Sequence, residues 1–167
     1  MKRVYVLAVL AMVTLGCSRP PMSGPPETRL GRDECGECGM LVSEDRFSSA
    51  TLIERERERM YIHFDDIGCM LDYEHDKGPS IKVLERFVRD HGSRAWVSAS
   101  EAVFVFADRD RLRTPMGSGI AAAATRERAE GMRAAFGGEL MDWERLMTAR
   151  REWMEARYGT STGAPGR

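Results

Sequence analysis

The sequence carries almost no excess charge of either sign. Its 167 residues hold 25 Lys and Arg against 26 Asp and Glu, a formal net charge of -1. Proteins that grip nucleic acid need a basic face to neutralise phosphate, and this balance supplies no global one, so no nucleic acid partner is expected. Also missing is an apolar run long enough to span a bilayer. Val4 to Leu15 is apolar for about a dozen residues, too short as a helix for a hydrocarbon layer of ~30 Å. Cysteine and histidine are scarce, at four and three residues. The one C-x-x-C has neither a second C-x-x-C nor a closely spaced His pair behind it, which counts against structural zinc.

What stands at the N-terminus reads as an export signal over residues 1–16. Lys2 and Arg3 form the positive start, the apolar stretch follows, and Thr14-Leu15-Gly16-Cys17 closes it. That closing pattern resembles a bacterial lipobox, although Thr14 stands where an aliphatic residue is usual. Cys17 is then the first mature residue and the lipidation site. Each buried acyl CH2 contributes about 0.8 kcal/mol, so several chains make a stable anchor. Residues 17–31 are rich in Pro and poor in apolar side chains, and read as an extended tether. The expected location is the periplasmic side of a bacterial membrane.

The folded part is expected from about Arg32 to Tyr158, with a small polar, disordered tail over residues 159–167. Its length suits one compact unit or two very small ones. It reads as two similar passes, 32–92 and 93–158. In the first, strands are expected at Met40 to Val42, Ser48 to Glu54 and Met60 to Phe64. A helix capped by Asp65 or Asp66 covers about Ile67 to His75, and a strand runs from Ile81 to Arg89. The sign-alternating run Glu54 to Arg59 reads as a solvated hairpin edge. In the second pass, strands are expected at Ala95 to Val97, Ala102 to Ala107 and Gly119 to Ala123. A helix capped by Thr125 covers Arg126 to Phe136, and a short strand Glu139 to Met141. A last helix capped by Asp142 runs from Trp143 to about Arg157, its apolar face including Leu146 and Met147. The fold class is α+β with two small β-β-α-β halves.

The strongest chemical signal is Cys35-Gly36-Glu37-Cys38-Gly39-Met40, three sulfur donors within six residues. Thiolate and thioether sulfur are soft donors that suit Cu(I), and zinc sites seldom use thioether. Three other readings of the cysteine pair stay open: half of a zinc site, a thiol–disulfide redox pair, and a plain disulfide. His63, Cys69 and Met70 are further possible ligands. Cys69 and Met70 are adjacent on an expected helix and point to different sides, so Cys69 reads first as a buried core residue. His63, in a strand, reads first as a satisfied core or edge histidine. Eleven methionines are many for this length, and most should be core filler. Met116, between Pro115 and Gly117, sits in a turn with no helical face to fill and is a ligand candidate.

Taken in order, the lipobox, Cys38-Gly39-Met40, Phe64-Asp65-Asp66-Ile67-Gly68-Cys69-Met70, Thr114-Pro115-Met116-Gly117 and Gly137-Gly138-Glu139 resemble the NosL family. The resemblance spans residues 33 to about 147. It implies a copper-chaperone lipoprotein with Cu(I) as its metal and no enzymatic activity. Its implied partners are the apo form of nitrous oxide reductase, whose copper cluster it helps assemble, and the membrane copper-maturation transporter complex of that pathway. The fold implied is two β-β-α-β halves similar to organomercurial lyase. By position, Cys38 and Met40 are implied core ligands and Met116 a third, with Cys35 either binding or only pairing with Cys38 on oxidation.

Overall fold

A computed structural model describes residues 22–159. The export signal, Cys17 and the tail from residue 160 lie outside these residues. Among the described residues the chain forms two antiparallel sheets and three helices, an α+β fold. The first sheet opens with the hairpin β1 (Ser49–Arg55) and β2 (Glu58–Phe64). Its two-residue turn, Glu56–Arg57, has positive φ at both positions, 54° and 69°, matching the right-handed twist of the strands it joins. The helix α1 (Ile67–Lys77) follows, and then β3 (Lys82–Arg89) returns to pair with the other side of β1. The second sheet repeats this path with β5 (Val103–Phe106), β6 (Ile120–Ala123), α2 (Arg126–Phe136) and β7 (Glu139–Met141). The strand orders β2-β1-β3 and β6-β5-β7 correspond element for element. A third helix, α3 (Trp143–Tyr158), follows β7 and is the last helix among the described residues.

Two expectations change. The strand expected at Ala95 to Val97 is β4 (Trp96–Ser98). Instead of opening the second sheet, it pairs with β3 and completes the first. Met40 to Val42 is no strand but one isolated bridge, Glu34 to Leu41.

The two sheets share one core. Phe64, Ile67 and Met70 of the first unit pack with Phe104, Ile120, Trp143 and Leu146 of the second. Each large side chain so buried stabilises the fold by roughly 1.5–3 kcal/mol. Along β5, Phe104 enters this core while Val105 faces a smaller cluster under α2 with Ala129 and Met132, the period-two alternation of a strand. Backbone joins the sheets as well: the His91 amide donates to the Ala122 carbonyl at 2.8 Å.

The described part of the proline-rich segment lies across the first sheet, on the face away from α1. Arg59 donates to the Met22 carbonyl at 2.9 Å, Tyr61 Oη to the Gly24 carbonyl, and Trp96 Nε1 to the Pro26 carbonyl at 3.0 Å. The Gly24 amide donates to Glu85 at 3.1 Å. Tyr61 and Glu85 are the cross-strand partners of Leu52, so this segment covers Leu52, which is fully buried.

Candidate metal centre

The cysteine loop is folded by its own backbone. The Cys35 amide donates to the Met40 carbonyl at 2.7 Å, and the Gly39 amide to the Cys35 carbonyl at 2.9 Å. The loop is then laid along β2 by the Gly36 amide, which donates to the His63 carbonyl at 2.8 Å. Glycine is required here, because a Cβ at position 36 would stand 2.2 Å from the Ile62 Cγ2 methyl. Beyond this point Asp65, buried, accepts the Ser43 amide at 2.7 Å and the Ser43 hydroxyl at 3.0 Å. Both ends of the loop are therefore tied to the β2–α1 corner.

That corner supplies a third sulfur. Asp66 caps α1 by accepting the Gly68 amide at 2.7 Å, which places Cys69 in the first turn of the helix. The ligand atoms of Cys35, Cys38 and Cys69 all lie within 4.8 Å of one another. Cys35 and Cys69 are buried and Cys38 is exposed, and all three are free thiols. Sulfurs bound at about 2.3 Å around one ion in a trigonal plane sit about 4 Å apart, so a small contraction brings these three to one metal. No His, Asp or Glu among the described residues joins this group.

The thiols are electrostatically unequal. A hydrogen bond from the Cys69 thiol, opposed by burial and aided by the amides of Cys38, Asp65 and Glu37, holds Cys35 down to about 5. Cys69, the donor in that bond, is pushed far up by it and by its own burial. Partial burial of its sulfur pushes the Cys38 thiol up. The arrangement thus favours negative charge on Cys35, with Cys69 as its hydrogen-bond donor.

Met40 is 57% exposed and Met116 40% exposed, so neither is core filler. Met40 adjoins Cys38 through Gly39. Met116 lies in a turn closed by the Gly117 amide donating to the Thr114 carbonyl at 3.0 Å, and its own amide donates to Asp66 at 3.2 Å. His63 shares an open cleft of about 590 Å3 with Cys35 and Cys38. Its ring faces elsewhere, with Nδ1 3.1 Å from Thr28 Oγ1 and Nε2 4.0 Å from Asp33.

The sequence reading undervalued Cys69. It is buried, as expected of a core residue, but it is also a member of the sulfur group. The signal was present: a cap at Asp66 fixes which residues form the first helical turn, and a thiol there can face a loop docked on the preceding strand. The C-x-x-C itself precedes no helix, yet tertiary folding sets it against the N-terminus of α1.

The family model described as NosL matches residues 28–150. Among solved structures, the crystal structure of the copper chaperone NosL from Shewanella denitrificans is similar, with a TM-score of 0.61 at 18% identity. The match covers 78% of this chain and 98% of that one; at such identity the likeness bears on the fold alone. No curated protein sequence matches the chain.

Proposed function

Since the chain belongs to the NosL family, we propose that it carries Cu(I) as cargo on a sulfur site and passes it on without turnover chemistry. The supporting observation is the group formed by Cys35, Cys38 and Cys69, three sulfurs within 4.8 Å with one at the surface. Soft sulfur prefers a monovalent d10 ion. Zinc would seek a fourth ligand, usually a further Cys or His. Met40 and Met116 add neutral thioether, which holds Cu(I) and yields it to a stronger ligand set. Copper must displace protons from the raised thiols to bind, so affinity rises with pH.

The destination is the apo form of nitrous oxide reductase, reached together with the membrane transporter complex of its maturation pathway. The place of work is the periplasmic side of the membrane, with Cys17 as the lipid anchor. A Cys17→Ala chain should then move from the membrane fraction to the soluble fraction; retention on the membrane removes the anchor from the scheme.

The test of the carrier reading is an anaerobic Cu(I) competition titration against a chromophoric chelator. Wild type should retain one copper per chain, and Cys38→Ser and Cys69→Ser should each release it at lower chelator concentration. A wild-type chain that cannot compete at all defeats the reading. The low value of Cys35 favours a second reading, a thiol–disulfide redox protein. Its geometry fits less well: the depressed thiol is the buried one, while exposed Cys38 is raised, and attack on an external disulfide needs an accessible thiolate. Redox activity that needs Cys35 and Cys38 but ignores Met40 would favour that reading.

A further inference from the structure

The polar network under Met116 has more connections than a helix cap needs. Asp66 is completely buried. One carboxylate oxygen, Oδ1, accepts the Gly68 amide at 2.7 Å and so caps α1. The other, Oδ2, serves a loop 48 residues away in sequence: it accepts the Thr114 hydroxyl, the Met116 amide at 3.2 Å and, at 3.5 Å, the Ser118 amide. Thr114, also buried, donates to Asp66 and in turn accepts the Ser118 amide at 2.9 Å and the Gly119 amide at 3.4 Å. Nothing separates this loop from the helix, since a Cβ on Gly68 would stand 2.5 Å from Ser118 Cβ. The polar groups of the loop turn inward, while the Met116 side chain is left 40% exposed.

We propose that Asp66 and Thr114 are positioning residues for the copper site, holding the second unit's Met116 against the helix turn that carries Cys69. The proposal rests on the carrier reading above, with Met116 as a thioether ligand. The physical reason is that thioether binds weakly and sits on a flexible side chain, so its contribution depends on a backbone already fixed in place. A flexible loop would lose much of that contribution to the entropy of ordering. One carboxylate, with Oδ1 on the helix and Oδ2 on the loop, locks the spacing of Met116 and Cys69, although the two residues belong to different sheets' connections. Outer partners of metal ligands characteristically act in this way.

The test is a double-mutant cycle on the full-length chain, read by anaerobic Cu(I) competition and by X-ray absorption of the loaded protein. Met116→Leu should weaken Cu(I) binding and remove one sulfur scatterer. Thr114→Val, which keeps shape and loses the hydroxyl, should weaken binding about tenfold and remove the same scatterer. The double variant should bind within about twofold of Met116→Leu alone. Thr114→Ser, which restores the hydroxyl, should recover wild-type binding. Combined with Met40→Leu, Thr114→Val should keep its full effect. If Thr114→Val does not fold, Asp66→Asn, which retains an oxygen for the Gly68 amide, takes its place in the cycle with the same outcomes. Thr114→Val binding like wild type, or multiplying with Met116→Leu, overturns the positioning role while leaving Met116 a ligand. Met116→Leu binding like wild type shows instead that the ligand reading has failed, and the proposal with it.

Discussion

At Cys35 two opposed effects act on one sulfur. Burial disfavours the thiolate, and donors around it favour the thiolate; the donors prevail and hold the group down to about 5. The largest donor is Cys69. Cys69→Ser removes a sulfur and substitutes a harder, oxygen-based donor. Copper affinity should fall by more than about tenfold, since a ligand is lost rather than an outer partner. In the metal-free chain a Cys69→Ala change removes the donor altogether, so the Cys35 thiol should titrate at higher pH. Thiolate ultraviolet absorbance followed through a pH titration checks this; an unmoved Cys35 would show that the backbone amides alone hold it. Part of the site was legible at this scale. Cys35 and Cys38 sit together in sequence and stand together in the sulfur group; Met40 and Met116 stand out in sequence as candidates, and they join the site only in the proposed function. Cys69 was legible only as a possible ligand weighed behind a core role, because 31 positions separate it from Cys38 and only the docking of the loop on β2 brings them together.

The element that does most is α1. It carries Asp66 at its cap, Gly68 and Cys69 in its first turn, and Asp72, which Arg150 of α3 grips through two hydrogen bonds of 2.9 and 2.7 Å. The Gly68 position sets helix propensity against packing. Alanine there would gain up to about 1 kcal/mol in propensity, but its Cβ would press on Ser118, and such overpacking costs about 1–3 kcal/mol. Gly68→Ala should therefore not stabilise the chain, and should destabilise it by up to roughly 2 kcal/mol in chemical denaturation. A stabilised variant would mean that the 113–119 loop gives way easily. Helices were the most legible elements, because caps are local: Asp66, Thr125 and Asp142 each accept an amide in the first turn of their helix. The short strands read well wherever a turn bounded them. The partner chosen by β4 did not, since its three residues carry no signal for one sheet over the other.

On the scale of the whole molecule, Asp90 binds the two sheets together. It is fully buried at the end of β3. Burial alone would raise its carboxyl, but the amides of Ser93 and Ala124 and the Arg128 guanidinium hold it well below the usual carboxylate range. A carboxyl lowered in the folded state adds stability above its unfolded value near 3.9 and loses it as pH falls further. Stability should thus decline on acidification below about pH 5, and Asp90→Asn should flatten that decline; equal slopes for the two proteins would discount Asp90. Residues 22–28 also belong to the fold, covering Leu52 and hydrogen-bonding to β2, β3 and β4. A chain lacking residues 18–28 should melt lower than the full chain, although composition alone made that stretch look like a free leash. The two-pass pattern was legible because it repeats; the shared core was not, since hydrophobic periodicity says which face is buried and nothing about what buries it. A last consequence follows from the unequal depth of the three thiols. Cys38 stands at the rim while Cys35 and Cys69 lie beneath it. On the carrier reading, an incoming acceptor would meet the rim sulfur first and replace it before reaching the inner two. If the group carries copper as proposed, departure would run from outside inward, on contact with a taker.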